Sequence, residues 1–454
     1  MNLHIIILAA GQGTRMCSAQ PKVLHPLAGR PLLAHVLATA SALDPQFIHL
    51  VYGHGGDQVR AAFSDDRVEW VEQSEQLGTG HAVLQAMPGI PDEAVVLVLY
   101  GDVPLIRRTT LQPLIDLAAQ GRLALLTTEL DDATGYGRIC RDQQQAITGI
   151  VEHKDADAEQ LAIQEINTGF LACPAGLLRG WLAGLENHNS QGEYYLTDIV
   201  ERACADGISV EAVGPEQPAE VLGVNDRRQL ATLERVYQGW QADRLMAAGV
   251  TLLDPARIDV RGDLRVERDI TIDVNCIFEG EVSLGEGVHI GPNCTLKNVV
   301  LEAGVTLLAN SVLEDARVGR GSRVGPFARL RPETVLAANT HIGNFVEIKK
   351  SSIGEGSKVN HLSYIGDTEM GSEVNIGAGT ITCNYDGAYK HKTTIGDRVF
   401  VGSDCQLIAP VEIKPGATLG AGTTLTREAP ADQLTLSRAK QITIEGWKRP
   451  VKRK

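Results

Sequence analysis

Three groups of residues in this chain have the types and spacing to do chemistry. The first is LAAGQGTRM, Leu8 to Met16, where two glycines directly follow a short aliphatic run. Glycine lets backbone N–H groups approach an anion at a strand end, and Arg15 and Lys22 add two cations close behind. The loop lacks the spacing of a dinucleotide fingerprint and the G-K-[ST] of a P-loop, and either cation could be an ordinary surface charge. The second is VLVLYGDVPL, in which Asp102 stands just past the carboxyl end of an aliphatic strand, the place where α/β folds bind ligands. Such a carboxylate suits Mg²⁺, which takes one or two protein oxygens and fills its other positions with phosphate and water; a solvated turn aspartate is the alternative. The third is His361 with Arg331, Lys349 and the segment around Asn384 and Tyr385. Imidazole has a near-neutral pKa suited to proton transfer, although a lone surface histidine is more often inert.

The third group rides on a repeat. From Leu284 to Leu425 an aliphatic residue returns every six positions, with a few steps of five, as in Leu330, Leu336, Ile342, Ile348, Ile353, Val359, Ile365, Met370 and Ile376. That period means a parallel β-helix, whose coils bury their apolar faces only against neighbours above and below. With three hexads to a coil, Ile342, Val359 and Ile376 share one face and Leu330, Ile348 and Ile365 the next. Residues at matching offsets then stack about 4.8 Å apart, so Asn344, His361 and Ala378 form one column, and Arg331 and Lys349 another. Two aligned cations without an anion repel, which favours a bound anion there. The spacing between Ile376 and Ile395 is nineteen, so GAGTITCNYDGAYKHKTT is expected to leave the face that carries His361, and function is usually placed on such excursions.

The first two groups sit in a different half. Up to about Asp226, continuous aliphatic runs such as HIIILAA, FIHLVYG and AVVLVLYGD alternate with amphipathic stretches, the pattern of parallel strands covered by helices on both faces. A doubly wound α/β domain is expected. Asn225 or Asp226 can cap the next stretch, in which Leu230, Leu233, Tyr237 and Trp240 recur at helical spacing until Gly249. The boundaries are therefore 1–227 for the α/β domain, 228–248 for a helical linker and 249–454 for the hexapeptide domain. A chain of 454 residues with 47 glycines and few aromatics fits this division. Its net charge of −14 argues against general nucleic-acid binding. Eight scattered cysteines without a C-x-x-C pair read as reduced cytosolic thiols. MNLHIIILAAG has no basic flank and reads as a buried strand rather than a signal peptide. No stretch reaches the length of a membrane span, and KRPVKRK reads most simply as a solvated basic end, with help in holding an anionic ligand as the alternative.

LAAGQGTRM, PKVLHPLAG, EQLGTGHA, LYGDVPL, GYGRI, GIVEHKD and EINTGF, in this order, resemble the sugar-nucleotide pyrophosphorylase family. With RLRP, GNFVEIKKS, GAGTITCNYDG and VGSDCQL in the hexapeptide domain, essentially the whole chain resembles the bacterial bifunctional N-acetylglucosamine-1-phosphate uridylyltransferase/glucosamine-1-phosphate N-acetyltransferase family. The resemblance implies that Leu8, Ala9, Ala10 and Gly11 line the uridine nucleotide, with Lys22 on its phosphates; by its charge and position Arg15 is expected to join Lys22 in neutralising phosphate. It implies that Gln73, Gly78 and Thr79 recognise uracil, that Tyr100 and Gly101 lie near nucleotide and sugar, and that Gly137, Glu152 and Asn167 hold N-acetylglucosamine. Asn225 would join Asp102 on Mg²⁺. For acetyl transfer it implies Arg331, Lys349, Tyr364 and Asn375 on the sugar phosphate and His361 as base. Acetyl-CoA would lie on Ala378, Asn384, Tyr385, Ser403, Ala421 and Arg438. It also implies a left-handed, homotrimeric solenoid with acetyl-CoA between subunits.

The expected activity is acetylation of glucosamine 1-phosphate by acetyl-CoA, then uridylylation by UTP to UDP-N-acetylglucosamine, in a cytoplasmic protein that engages neither nucleic acid nor membrane. One rival is a single-activity nucleotidyltransferase whose β-helix only assembles or regulates the oligomer; His361 beside the Asn384 excursion speaks against it. A second is a binding or exchange subunit with an inactive α/β site, against which Lys22, Asp102 and Asn225 speak.

Overall fold

The computed structural model describes residues 2–11, 13–53, 55–63 and 67–452. The chain forms two compact units that divide between Tyr237 and Gln238, inside the helix Arg227–Ala247. Asp226 Oδ1 caps that helix by accepting from the amides of Arg228 and Gln229 at 2.8 and 2.9 Å. Its other end closes at Gly249 (φ +90°), with Val250 N donating to Leu245 O and Gly249 N to Met246 O, both at 3.0 Å.

In the first unit the central sheet runs Val210–Val213, Leu123–Glu129, Glu165–Pro174, Val95–Tyr100, Leu3–Leu8, Phe47–Tyr52, Val68–Glu72. Residues alternate between two apolar layers: Leu3, Ile5, Ile7, Leu97 and Leu99 enter one, Ile6, Leu8, Val96 and Val98 the other. Burial on both faces explains the unbroken aliphatic runs. One strand departs from the expected parallel order, because Glu165–Pro174 runs antiparallel to both neighbours. The chain reaches it through the antiparallel pair Arg138–Arg141 and Ile147–Val151 rather than a crossover helix, and an antiparallel neighbour needs no crossover. The strands Leu3–Leu8 and Val95–Tyr100 end side by side, Leu8 opposite Tyr100, which places the Ala9–Gly11 loop beside Gly101 and Asp102.

Two buried histidines backed by an exposed glutamate lie toward the other end of these strands. His4 Nδ1 is 2.9 Å from His49 Nε2, and His49 Nδ1 is 3.0 Å from Glu69 Oε2. Burial first, then the charge of His4, pushes His49 from 6.5 down to about 4. His49 is therefore neutral in the fold, the unfolded chain binds the extra proton, and stability is full above about 6.5 and lost as the pH falls toward about 4. Amide protection factors in Leu3–Leu8 and Phe47–Tyr52 should decline across that window. His49→Gln should flatten the decline; an unchanged profile would show that the histidine pair is not what titrates.

The second unit is a parallel β-helix. Ile342, Val359, Ile376, Val401 and Leu419 pair in register on one face. Leu330, Ile348 and Ile365 pair on the next, and Leu336, Ile353, Met370, Ile395 and Ile413 on the third. These side chains are all buried in one continuous core. The excursion leaves from a different face than its spacing implied. Strand Ile381–Cys383 continues the second face, between Tyr364–Gly366 and Gln406–Ile408, and the chain rejoins the third face at Thr393–Ile395. The rung that hid this is Thr382, a buried hydroxyl in an aliphatic position, whose Oγ1 accepts from Gly366 N at 2.7 Å and donates to Gly366 O at 3.2 Å. The extra segment is thus Asn384–Lys392, folded on itself by His391 N to Asn384 O (2.8 Å) and a Tyr385–Lys390 bridge. Residues 448–452 of the basic tail are exposed; Arg453 and Lys454 lie outside the described residues.

Candidate functional site

At the carboxyl ends of the α/β strands lies a cavity of about 290 Å³, lined by Leu8, Ala9, Ala10, Gly11, Lys22, Val23, Gln73, Gln76, Gly78, Thr79, Ala82, Tyr100, Asp102 and Glu193. Two glycines shape it. Gly13 (φ +60°) lets the loop close on Lys22, whose Cβ would lie 2.7 Å from an added methyl, and Gly78 (φ +110°) packs where a Cβ would meet Tyr194 O at 2.6 Å. Gln73 is buried and donates to Gly78 O at 3.1 Å, while Gln76 donates to Ala10 O at 2.8 Å. The first bond closes one loop on itself, and the second ties that loop to the glycine loop across the cavity.

Lys22 Nζ is ion-paired with Asp102 Oδ2 and donates to Asn225 Oδ1 at 3.2 Å. Because Asp226 caps the following helix, the Asn225 carboxamide is free to turn toward Lys22. Two oxygens from distant parts of the chain therefore converge on one cationic point. Among the described residues no cluster of three or more His, Cys, Asp or Glu could hold a metal. A cation here would have two protein oxygens and leave the rest of its shell to phosphate and water, the habit of Mg²⁺.

A smaller cavity of about 80 Å³ shares Thr79 and Tyr100 with the first and is lined also by Glu152, Asn167 and Thr197. Asn167 N donates to Gly137 O at 2.9 Å, and Thr197 Oγ1 donates to Glu152 at 3.1 Å. Burial raises the Glu152 carboxyl above its ordinary range, and the Thr197 hydrogen bond opposes this. Beside it opens a larger cavity, about 620 Å³, with Glu152, Asp155, Glu186, Asp198 and Glu201 in its walls. Burial first, then the charges of Glu201 and Glu152, push Asp198 up to about 6 against the opposing pull of Arg202. So acidic a wall repels a polyanion, whereas the 290 Å³ cavity presents a lysine to one.

Of the residues marked in the sequence for this half, Gly101, Gly137, Asn225 and Arg15 are outside the cavity linings, and of these Arg15 is exposed on the turn Thr14–Met16. Gln76, Glu193 and Thr197 were missed. Gln76 lies within EQLGTG itself, and only its reach back to Ala10 distinguishes it.

On the β-helix, Asn344 and His361 pair in register two residues past Ile342 and Val359. Ala378, Ser403 and Ala421 follow on successive coils, Asp404 N donating to Ala378 O at 2.7 Å and Gly422 N to Ser403 O at 2.8 Å. The Arg438 side chain lies along the far end of this corner, its guanidinium toward Gly420 and its methylenes toward Gly422. His361 is exposed, and its Nδ1 is 2.9 Å from Asn344 Oδ1. An amide oxygen only accepts, so Nδ1 is the donor, and in the neutral ring Nε2 then keeps its lone pair.

On the adjoining face Lys349, Tyr364 and Asn384 come together. Asn384 Nδ2 is 3.4 Å from Tyr364 Oη and 2.5 Å from Asp367 Oδ2, and Lys349 Nζ lies 3.9 Å from the same oxygen. Arg331 donates to Glu347 at 2.8 Å. Both cations thus have carboxylate neighbours within the chain. The repulsion expected from stacking them is relieved without a ligand, and that part of the sequence argument falls. Asn375 pairs with Lys358 on the His361 face, and Tyr385 projects from the excursion with its ring under Lys390, 4.3 Å from Nζ.

The chain matches the MobA-like NTP transferase domain over residues 5–159, the GMPPB C-terminal domain over 260–344 and the bacterial transferase hexapeptide (six repeats) over 392–427. It is 58% identical over 450 residues to the bifunctional protein GlmU of Marinobacter nauticus, covering 99% of each chain. It is also 58% identical over 453 residues to that of Methylococcus capsulatus, covering 100% of this chain and 98% of the relative. Nucleotide-transfer and hexapeptide-transferase halves in one polypeptide, related end to end at this identity, make the chain a bifunctional transferase that belongs to the GlmU family.

Proposed function

We propose that the β-helix acetylates glucosamine 1-phosphate with acetyl-CoA, and that the α/β unit then transfers a uridylyl group from UTP to the product, giving UDP-N-acetylglucosamine and pyrophosphate. The observation that carries the two-site reading is the His361 pair with Asn344, which leaves Nε2 with a lone pair on an exposed corner. In acetyl transfer the amine nitrogen attacks the thioester carbonyl, Nε2 takes the proton the nitrogen sheds, and CoA leaves as the thiolate. Arg331, Lys349, Tyr364 and Asn375 hold the sugar phosphate. Ala378, Asn384, Tyr385, Ser403, Ala421 and Arg438 bind acetyl-CoA, the last three coils spacing His361 from Ala421 by about 14 Å.

In uridylyl transfer the sugar phosphate oxygen attacks the α-phosphorus of UTP and pyrophosphate leaves. Leu8 to Gly11, Gln73, Gly78, Thr79 and Tyr100 with Gly101 hold the nucleotide, and Gly137, Glu152 and Asn167 the sugar. Lys22 and Arg15 meet phosphate charge. Asp102 and Asn225 are the residues that would hold Mg²⁺, which when bound neutralises charge on the leaving pyrophosphate. We assign this step to residues 1–227, the connecting helix to 228–248, and acetyl transfer to 249–454.

Self-association as a homotrimer is supported by an exposed corner ladder, Phe327, Phe345 and Leu362, with φ of +56°, +56° and +50°. Phe327 and Phe345 stack at 5.3 Å, and bulky side chains held in the left-handed region and turned outward favour an apolar partner surface. A cytoplasmic location is supported by eight free cysteines, and among the described residues no helix is long and apolar enough to cross a membrane.

The test is product analysis. With acetyl-CoA, UTP, Mg²⁺ and glucosamine 1-phosphate, the purified protein should yield CoA, pyrophosphate and UDP-N-acetylglucosamine. Turnover of supplied N-acetylglucosamine 1-phosphate without any CoA release from glucosamine 1-phosphate would leave a single-activity nucleotidyltransferase.

A further inference from the structure

Asp367 has no part in the assignments above, yet it sits at the junction of three residues that do. Its backbone is locked between coils, with N–H donating to Lys349 O at 3.1 Å and C=O accepting from Thr393 N at 3.2 Å, where the segment Asn384–Lys392 rejoins the solenoid. Its side chain is 12% exposed and its Oδ2 accepts from Asn384 Nδ2 at 2.5 Å, with Lys349 Nζ 3.9 Å away. Asn384 is itself buried, and the same Nδ2 lies 3.4 Å from Tyr364 Oη.

A carboxylate can only accept, so the Asn384 amide must turn its nitrogen to Asp367. Its Oδ1 is then left as an acceptor that no donor reaches among the described residues. Acetyl transfer needs such an acceptor: an N–H of the attacking amine held by one oxygen points the nitrogen lone pair in a fixed direction. The coil needs no carboxylate here, because the backbone bonds already hold it. A largely buried charge near a lysine at 3.9 Å is costly to desolvate and poorly repaid by that pair alone.

We propose that Asp367 is a positioning residue for acetyl transfer: its carboxylate fixes Asn384 with the amide oxygen free to accept from the substrate's amine, and keeps Lys349 in the same cluster for the sugar's phosphate. This rests on the acetyl-transfer reading of the β-helix. Asp367→Asn is nearly isosteric, but the new amide can offer Asn384 either a donor or an acceptor and no longer dictates which way it turns. Asp367→Glu keeps the charge, and glutamates already occupy the same backbone region at Glu333 (φ +64°) and Glu373 (φ +57°).

The experiment measures acetylation by wild type, Asp367→Asn and Asp367→Glu with glucosamine 1-phosphate and acetyl-CoA varied in turn, together with thermal melting. Asp367→Asn should lower kcat about tenfold, the effect of one misplaced hydrogen bond to a charged group, with any rise in KM for acetyl-CoA, which Asn384 also meets, smaller than that fall and melting unchanged. Asp367→Glu should recover most of the rate. Wild-type kinetics in Asp367→Asn would overturn the proposal. So would a loss that raises both KM values, lowers the melting temperature and is not recovered by glutamate, the signature of a structural residue. Absence of CoA release from the wild type would instead remove the acetyl-transfer reading, and this role with it.

Discussion

Asp102→Ala should reduce formation of UDP-N-acetylglucosamine by at least about 10²-fold, the scale of losing a preorganised group at developing charge, while acetylation of glucosamine 1-phosphate continues at the wild-type rate. Asp102 Oδ2 and Asn225 Oδ1 meet at the Lys22 ammonium. Removing the carboxylate leaves one neutral amide oxygen to hold a divalent cation against the charge of three phosphates, which it cannot do. It also strands Lys22, whose side chain is only 13% exposed, without its ion pair. The strand end should survive, because Asp102 contributes to it through its carbonyl, which accepts from Val224 N at 2.9 Å. Asp102→Asn serves as the second variant: it keeps an oxygen for Lys22 but not the charge, and should lose nearly as much activity. Uridylyl transfer near the wild-type rate at saturating Mg²⁺, in either variant, would make Asp102 a structural turn residue.

What was readable in the sequence follows from how each feature is encoded. The β-helix register could be derived because each rung advertises itself with an aliphatic side chain, and Ile342–Val359–Ile376 pair as the six-residue period requires. The same logic failed at Thr382, where a hydroxyl satisfied by the backbone of the preceding coil takes an inward position; a pattern of apolar residues cannot see it. Direction within a sheet is likewise invisible in composition. The buried run in Glu165–Pro174 reads the same whichever way the strand points. The carboxylate partners of Arg331 and Lys349 escaped for a geometric reason. Stacking by equal offset sets cation over cation, whereas Glu347 is sixteen residues from Arg331, Asp367 is eighteen from Lys349, and both are reached diagonally by side chains. Asp102 was legible by its position at a strand end and Lys22 by the glycine loop it follows, whereas Asn225 entered as a ligand only through the family resemblance, which also joined it to Asp102. That both oxygens meet at Lys22 required the fold.

His361→Ala decides between two activities and one. Positioned acid–base groups contribute roughly 10²-fold or more, so the variant should lose at least that factor in acetylation while the β-helix stays intact. The side chain is exposed and contributes nothing to the buried ladder, where Val359 is the inward residue of its strand. The coil at this point is held by backbone atoms that alanine retains, Gly379 N and Ser363 Oγ both donating to the His361 carbonyl at 3.2 and 2.8 Å. Asn344→Ala sharpens the test. Without the acceptor at Nδ1 the imidazole is free to switch tautomer and rotate, so acetylation should fall with His361 still present, and by less than in His361→Ala. The residues assigned to uridylyl transfer run from Leu8 to Asn225, so uridylylation of supplied N-acetylglucosamine 1-phosphate should be unchanged in both variants. Running the two half-reactions on one preparation makes each the control for the other. Undiminished acetylation by His361→Ala would remove His361 as the base, and equal loss of both half-reactions would point to misfolding or failed assembly instead of lost proton transfer.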